Sequence, residues 1–364
     1  MDTYQVTTNN FALKSGYSKH NPFSDRYGRK PLLMICLIGT VVGFVILGMA
    51  ESVSQLFLSR VVDGLLGGNI ALAQTIASDL TTPENRSRSF GMIGAAFGIG
   101  FIIGPAFGGT FANWHFRLPA YIAAFITLLN LIGVYAFLPE TLPKLTPNKL
   151  ETPMFGAFSA LSSSLKIPIL RELLILRFFF QFVFTLFETS FGFYNLTVFG
   201  LDARSSSYLL AFVGVLFAVV QAGIRAFKNI KEAKLIMYSF AIFAVSLAWW
   251  CQTSSIMSLQ MSLVPLSLSS GLLNTLVSSL ITRQVKNIEL GGILGVSSAV
   301  GSLTRVLAPM SSGVLIDSFG INAPGMFGAL LMLFCVFFII HSKFDQLTFA
   351  LTPTTNQVPE KKQT

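Results

Sequence analysis

Long uncharged segments recur along this chain and constrain its fold more than any other feature. Residues 31–49, for example, contain no charged side chain. A helix rises about 1.5 Å per residue, so about 20 such residues cross the roughly 30 Å hydrocarbon core of a bilayer. We predict ten membrane-spanning helices, at residues 31–50, 54–77, 89–111, 118–138, 172–198, 205–224, 234–252, 255–280, 290–314 and 322–341.

The composition supports a membrane protein over a soluble one. Of the 364 residues, 52% are apolar and only 11% are charged. This apolar fraction exceeds what a soluble core requires. Cys36, Cys251 and Cys335 lie in apolar segments and predict no disulfide. The basic residues are spread over short loops, which argues against nucleic-acid binding. We therefore expect an all-α membrane protein.

The distribution of basic residues predicts the orientation in the membrane. If the N-terminus is cytosolic, twenty of the 25 Lys and Arg residues lie in inner segments, and only Arg117 and Arg204 lie in outer loops. Cytosolic loops of membrane proteins carry such an excess of positive charge. We expect a multi-pass integral membrane protein with cytosolic N- and C-termini. Both the plasma membrane and a vacuolar or other endomembrane fit this charge distribution.

A charged segment, "SDRYGRK", precedes the first predicted helix and contains Asp25, Arg26, Gly28, Arg29 and Lys30. It is either a positively charged anchor with a glycine turn or a functional contact at the cytosolic face. An aspartate there would be attracted to a helix N-terminus, whose unpaired amides carry about half a positive charge.

A glycine-rich segment occupies the third predicted span. Its characteristic residues are Gly91, Gly100, Gly104, Pro105, Gly108 and Gly109. Small residues spaced four apart let a neighbouring helix approach closely, and proline removes a helical hydrogen-bond donor. Tight packing with a kink and a role in transport both fit this pattern.

Ionisable residues inside the predicted spans are candidate functional residues, because a charge at mid-bilayer costs about 3 kcal/mol or more. Arg60 and Asp63 are three residues apart, so they share a helical face and can neutralise each other. Glu188 lies midway along a Phe-rich span, where apolar surroundings favour the protonated carboxyl and would suit reversible protonation. A structural ion pair and a permanently protonated glutamate are the alternatives.

The span that contains Glu188 also carries many aromatic residues. They would suit a flat amphipathic substrate, or they pack the protein or face lipid. These residues are Phe178, Phe180, Phe184, Phe187, Phe191 and Tyr194.

Together these segments resemble the major facilitator superfamily, and within it the drug:proton antiporter branch that includes tetracycline efflux proteins. The cytosolic motif D-R-x-G-R-K begins at Asp25, and the antiporter motif G-x8-G-x3-G-P-x2-G-G begins at Gly91. "LPETL" resembles the end of the sixth family helix, and Arg305, Pro309 and Gly313 are in register with the eleventh. The resemblance covers roughly residues 22–342.

The resemblance implies a helical bundle of the major facilitator type in which the ten spans correspond to family helices 3–12, without the first two. It implies five regions: a polar segment (1–21), a partial N-terminal bundle (22–138), a cytosolic loop (139–171), a C-terminal six-helix bundle (172–342) and a cytosolic tail (343–364).

The implied function is export of small amphipathic organic compounds by proton antiport through alternating access. The cytosolic motif would gate this cycle, with Asp25 and Arg29 as a latch, and Arg60, Asp63 and Glu188 would couple it to protons. A truncated, transport-inactive form and a transporter of a metabolite or sugar are the alternatives. We expect a monomer whose partners are a small-molecule substrate, protons and the lipid bilayer, with no enzymatic activity, cofactor, metal or nucleic acid.

Overall fold

The computed structural model describes residues 28–81, 83–141, 167–223, 231–283 and 290–342. Within these ranges every regular element is an α-helix, which confirms the predicted all-α class. The helices are α1 (Arg29–Met49), α2 (Val53–Leu66), α3 (Asn69–Asp79), α4 (Pro83–Trp114), α5 (Leu118–Phe137), α6 (Pro168–Phe199), α7 (Ala203–Gly223), α8 (Glu232–Trp250), α9 (Ile256–Arg283), α10 (Leu290–Phe319) and α11 (Ala323–His341).

Seven of these helices are long and apolar enough to cross a membrane by length and composition: α1, α5, α7, α8, α9, α10 and α11. Apolar helices of this length expose side chains that only lipid can cover favourably. The chain is therefore a multi-pass integral membrane protein, as predicted.

The structure divides the predicted span 54–77 into two helices, which the sequence analysis did not anticipate. Helix α2 ends at Leu66 and is followed by Gly67, with a ψ of 24°, and α3 begins after Gly68, with a ψ of 4°. These angles lie far from the helical value of about −42°. Two successive glycines have low helix propensity, so the segment does not continue as one helix.

The chain folds into two compact units. Unit 1 comprises residues 1–164, 203–208 and 282–299, and unit 2 comprises residues 165–202, 209–281 and 300–364.

In unit 1, α1 packs against α5, α2 and α3. Leu33, Cys36 and Leu37 of α1 form a buried core with Leu72 and Ile76 of α3.

In unit 2, α11 packs against α8 and α6 around an aromatic core. The indole of Trp250 lies 4.9 Å from the Phe187 ring and 4.8 Å from the Tyr194 ring, between centroids. The hydroxyl of Tyr194 donates to the backbone carbonyl of Trp250 at 3.0 Å. One face of α6 is thus buried in protein.

Candidate functional site

The N-terminus of α1 holds the described part of the predicted cytosolic motif. Asp25 and Arg26 lie outside the described residues. Gly28 has a φ of +92°, a conformation that L side chains rarely adopt, and a Cβ atom there would lie 2.7 Å from Oε2 of Glu140. A glycine is therefore required at this position.

Glu140 caps this helix end. Its carboxylate accepts hydrogen bonds from the backbone amides of Arg29 at 3.0 Å and Lys30 at 3.2 Å. A carboxylate at this place satisfies amides that have no partner inside the helix and interacts favourably with the helix dipole. The side chain of Lys30 also donates to the carbonyl of Tyr135 at 2.9 Å.

Arg29 forms an ion pair with Asp79, the last residue of α3, and its side chain is only 6% exposed. Together with Glu140, this pair joins α1, α3 and the end of α5 inside unit 1. The role of Arg29 in a latch between bundles, which the family resemblance implies, stays a prediction. The contacts seen here bind helices of a single unit.

Arg60 and Asp63 lie on α2, with Nη1 of the arginine 3.8 Å from Oδ2 of the aspartate. Their side chains are 56% and 33% exposed. The two groups are close enough to neutralise each other, and α2 buries only Ser59 among its residues. A role in proton coupling stays a prediction for this pair.

The glycine motif lies on α4, with Pro105 inside the helix. At Gly100, Gly104 and Gly108 an added Cβ atom would meet nothing within 4 Å. The predicted close approach of another helix along this row is thus not seen among the described residues. The surroundings of Gly91 lie outside them.

Gly109 is the exception within this motif. An added Cβ atom there would clash with Cβ and Oγ of Ser207 and lie 3.2 Å from the carbonyl oxygen of Ala203. The next residue, Thr110, shares a hydrogen bond of 3.0 Å with the hydroxyl of Tyr208. The motif therefore makes one close contact with the start of α7, inside unit 1.

A polar stripe runs along α6 and consists of Arg177, Gln181, Glu188 and Asn195. The first and last of these residues are 18 positions apart, which is about five helical turns, so they lie on one side of the helix. Glu188 was predicted to be a buried acid, but its side chain is exposed on unit 2 while its neighbour Phe187 is buried. It lies on the polar stripe rather than in the aromatic core because it is about 100° around the helix from Phe187.

Helix α10 runs beside this stripe. A Cβ atom at Gly301 would lie 3.3 Å from Oε1 of Gln181, and Arg305 lies near enough to act electrostatically on Glu188. Both pairs advance in the same direction along their helices, so α6 and α10 are parallel neighbours here. The pairing of Arg305 with Glu188 was not predicted from the sequence, because no local spacing connects residues so far apart in the chain.

Three polar side chains of the stripe have shielded atoms without a hydrogen-bond partner among the described residues. These atoms are Nε of Arg177, Oε1 of Gln181, and both amide atoms of Asn195. Another atom of Arg177, Nη1, donates to Oγ of Ser278 on α9 at 2.6 Å. Polar atoms shielded in this way are costly unless a ligand or water satisfies them. Among these residues, neither Gln181 nor Asn195 nor Ser278 was identified from the sequence.

Most of the candidate aromatic residues pack inside the protein. Phe180, Phe187, Phe191 and Tyr194 are each 3% exposed or less, and only Phe178 and Phe184 are half-buried. The packing interpretation is therefore correct for four of the six. They position α6 so that its polar stripe lies beside the aromatic core.

Among the described residues no group of His, Cys, Asp and Glu side chains could hold a metal ion.

The model of the Major Facilitator Superfamily matches residues 21–309. The human "Solute carrier family 67 member A1" is 27% identical over 321 residues, covering 83% of this chain and 74% of that protein. The class B tetracycline resistance protein of Escherichia coli is 26% identical over 336 residues, covering 91% and 81%.

A solved structure shares the fold. The crystal structure of the human organic anion transporter MFSD10 (TETRAN) matches with a TM-score of 0.69 and 22% identity, covering 87% of this chain and 78% of that one. The family match extends over well more than half of the sequence. The protein therefore belongs to the Major Facilitator Superfamily of membrane transporters.

Proposed function

We propose that this chain exports small amphipathic organic compounds by proton antiport. The observation that carries the proposal is the close approach of α10 to the polar stripe of α6 at Gly301 and Gln181, which brings Arg305 within electrostatic range of Glu188. A carboxyl group can take up and release a proton, whereas an arginine stays charged. Protonation of Glu188 would therefore leave Arg305 without its counter-charge, which couples proton binding to a change in the electrostatics of the site.

The relatives support a drug-like cargo. Two tetracycline resistance proteins, of classes B and C, are 26% and 28% identical to this chain. The antiporter motif on α4 favours exchange over co-transport. The half-buried rings of Phe178 and Phe184 offer apolar surface on α6, the helix that carries Glu188. Amphipathic cargo would use both features, with an apolar body beside the rings and a polar group toward the stripe.

Proton-driven dye flux tests this function. The chain is reconstituted in proteoliposomes, a pH gradient is imposed, and the movement of a cationic, a neutral and an anionic fluorescent dye is recorded. We expect at least one dye to move against the proton flow and the flux to stop when nigericin collapses the gradient. Flux that is insensitive to the gradient would contradict antiport, and folded protein that moves none of the dyes would favour the transport-inactive alternative.

We also propose that both termini are cytosolic, because of the excess of Lys and Arg in the inner segments. Single cysteines at Ser163 and Thr354, in a background without Cys36, Cys251 and Cys335, are expected to react with a membrane-impermeant maleimide only after the cells are permeabilised. Reaction in intact cells would reverse the orientation.

A further inference from the structure

Arg177 is a charged residue that takes no part in the proposed proton coupling by Glu188 and Arg305. It lies on α6 nine residues after Pro168, which is about 13 Å along the helix. The side chain is half-buried with its Nε atom shielded, and the one hydrogen bond seen joins Nη1 to Oγ of Ser278, 101 residues away on α9. The group is thus held between two helices of unit 2.

No ion pair of Arg177 with a carboxylate is seen among the described residues, and its one contact seen there is the hydrogen bond to Ser278. Other arginines in the structure differ: Arg29 pairs with Asp79, and Arg305 acts on Glu188. A charge held between helices without a counter-charge is unfavourable. Arg177 and Arg305 together contribute two positive charges beside the single negative charge of Glu188.

Hydrogen-bonding atoms at and near Arg177 also lack partners. Its Nε atom and Oε1 of Gln181, one helical turn further on, are both shielded and without a partner among the described residues. A guanidinium donates through atoms that lie in one plane, and this geometry matches the two oxygens of a carboxylate. With its amide turned so that the nitrogen faces the ligand, Gln181 can donate a further hydrogen bond to such a group, while Ser278 holds the guanidinium in place.

Apolar surface adjoins these donors. Phe184 lies one turn beyond Gln181 and is half-buried, and its ring packs at 6.1 Å from that of Phe217, between centroids. An aromatic or aliphatic body attached to an oxyanion could pack there while the oxyanion reaches Arg177.

We propose that Arg177, Ser278 and Gln181 form a binding site for the oxyanion group, a carboxylate or sulfonate, of a small amphipathic organic anion. This deepens the proposed function by naming the class of its cargo. Binding itself does not require proton coupling, so the two proposals fail separately.

Equilibrium binding of two ligands of the same shape tests the site. The full chain is placed in nanodiscs of neutral phosphatidylcholine, and the affinities for radiolabelled naphthalene-1-acetate and its uncharged amide, naphthalene-1-acetamide, are measured at neutral pH. We expect the carboxylate to bind roughly tenfold more tightly than the amide, because charge-assisted hydrogen bonds are the stronger ones. Equal affinities would overturn the proposal.

Variants assign the preference to Arg177. In Arg177→Gln the carboxylate is expected to lose roughly tenfold in affinity while the amide is unaffected. Arg177→Lys keeps the charge without the planar donors and is expected to retain part of the preference, and Ser278→Ala should reduce it by a smaller factor. The matched control is Arg171→Gln on the same helix, which carries an exposed arginine and should leave both affinities unchanged.

Two further measurements keep the result interpretable. Thermal unfolding identifies variants that have lost the fold. If Arg177→Gln is one of them, the affinities of Arg177→Lys for the two ligands test the proposal instead. Equal loss of affinity for both ligands in a folded variant would make Arg177 structural and overturn the proposal. Displacement of naphthalene-1-acetate when phosphatidylglycerol is included in the nanodiscs would assign the site to a lipid headgroup, which would also overturn it.

Discussion

Substitution of Glu188 by Gln is expected to abolish substrate-induced proton movement while leaving substrate binding intact. Glutamine has nearly the same volume and can still hydrogen-bond, but it cannot take up a proton. If Glu188 carries the proton, the exchange cycle loses the step in which Arg305 gains and loses its counter-charge. Proton release from proteoliposomes after substrate addition, followed with a pH-sensitive dye, should fall to the level of empty vesicles.

A matched control separates this effect from a general loss of charge. Asp317 is an exposed carboxylate on α10, two residues before the helix ends, and Asp317→Asn should retain coupled transport. Arg305→Gln should impair coupling, because it removes the other half of the pair. Undiminished proton movement in Glu188→Gln would make the residue structural.

The glycine motif leads to the second large effect, which concerns stability. A Cβ atom at Gly109 would clash with Ser207, and the contacted atoms include its Cβ, which moves only with the backbone of α7. Helices α4 and α7 must therefore separate in Gly109→Ala, and overpacking of this kind costs about 1–3 kcal/mol. The unfolding midpoint in mixed micelles, followed by circular dichroism, should fall accordingly.

Gly108→Ala is the control for this prediction. Gly108 is the preceding residue on the same helix, and an added Cβ atom there meets nothing within 4 Å. Both variants gain about 1 kcal/mol of helix propensity from the glycine-to-alanine change. The difference between their stabilities therefore isolates the steric cost at Gly109, and equal stabilities would show that α7 yields to the added methyl group.

Several features of the fold could be predicted from local sequence. Runs of apolar residues predicted the helices, since a helix of about 20 apolar residues is the simplest way to satisfy backbone groups in lipid. The spacing of Arg60 and Asp63 predicted their proximity, because residues three apart share a helical face. The glycine pair that separates α2 from α3 was visible in the sequence, but the apolar residues on both sides favoured the prediction of one continuous span.

The candidate site was predictable only in part. Glu188 stood out because a carboxyl in a Phe-rich span is unusual, whereas Gln181 and Ser278 are ordinary residues whose contacts depend on which helices meet. Glu140 appeared in the sequence as the end of a helix, and its role as the cap of α1 depends on the return of the chain over about 110 residues.

The sequence by itself determined the membrane class, the positions of most helices and the motifs that resemble the Major Facilitator Superfamily, because hydropathy and helical spacing act over neighbouring residues. The tertiary structure alone decided which polar groups meet. It placed Arg305 within electrostatic range of Glu188, joined Arg177 to Ser278, and set Gly109 against Ser207, whereas an added Cβ atom at Gly100, Gly104 or Gly108 would meet nothing within 4 Å in the described part of the chain. These contacts join residues about 100 positions or more apart, and only the packing of whole helices brings such residues together.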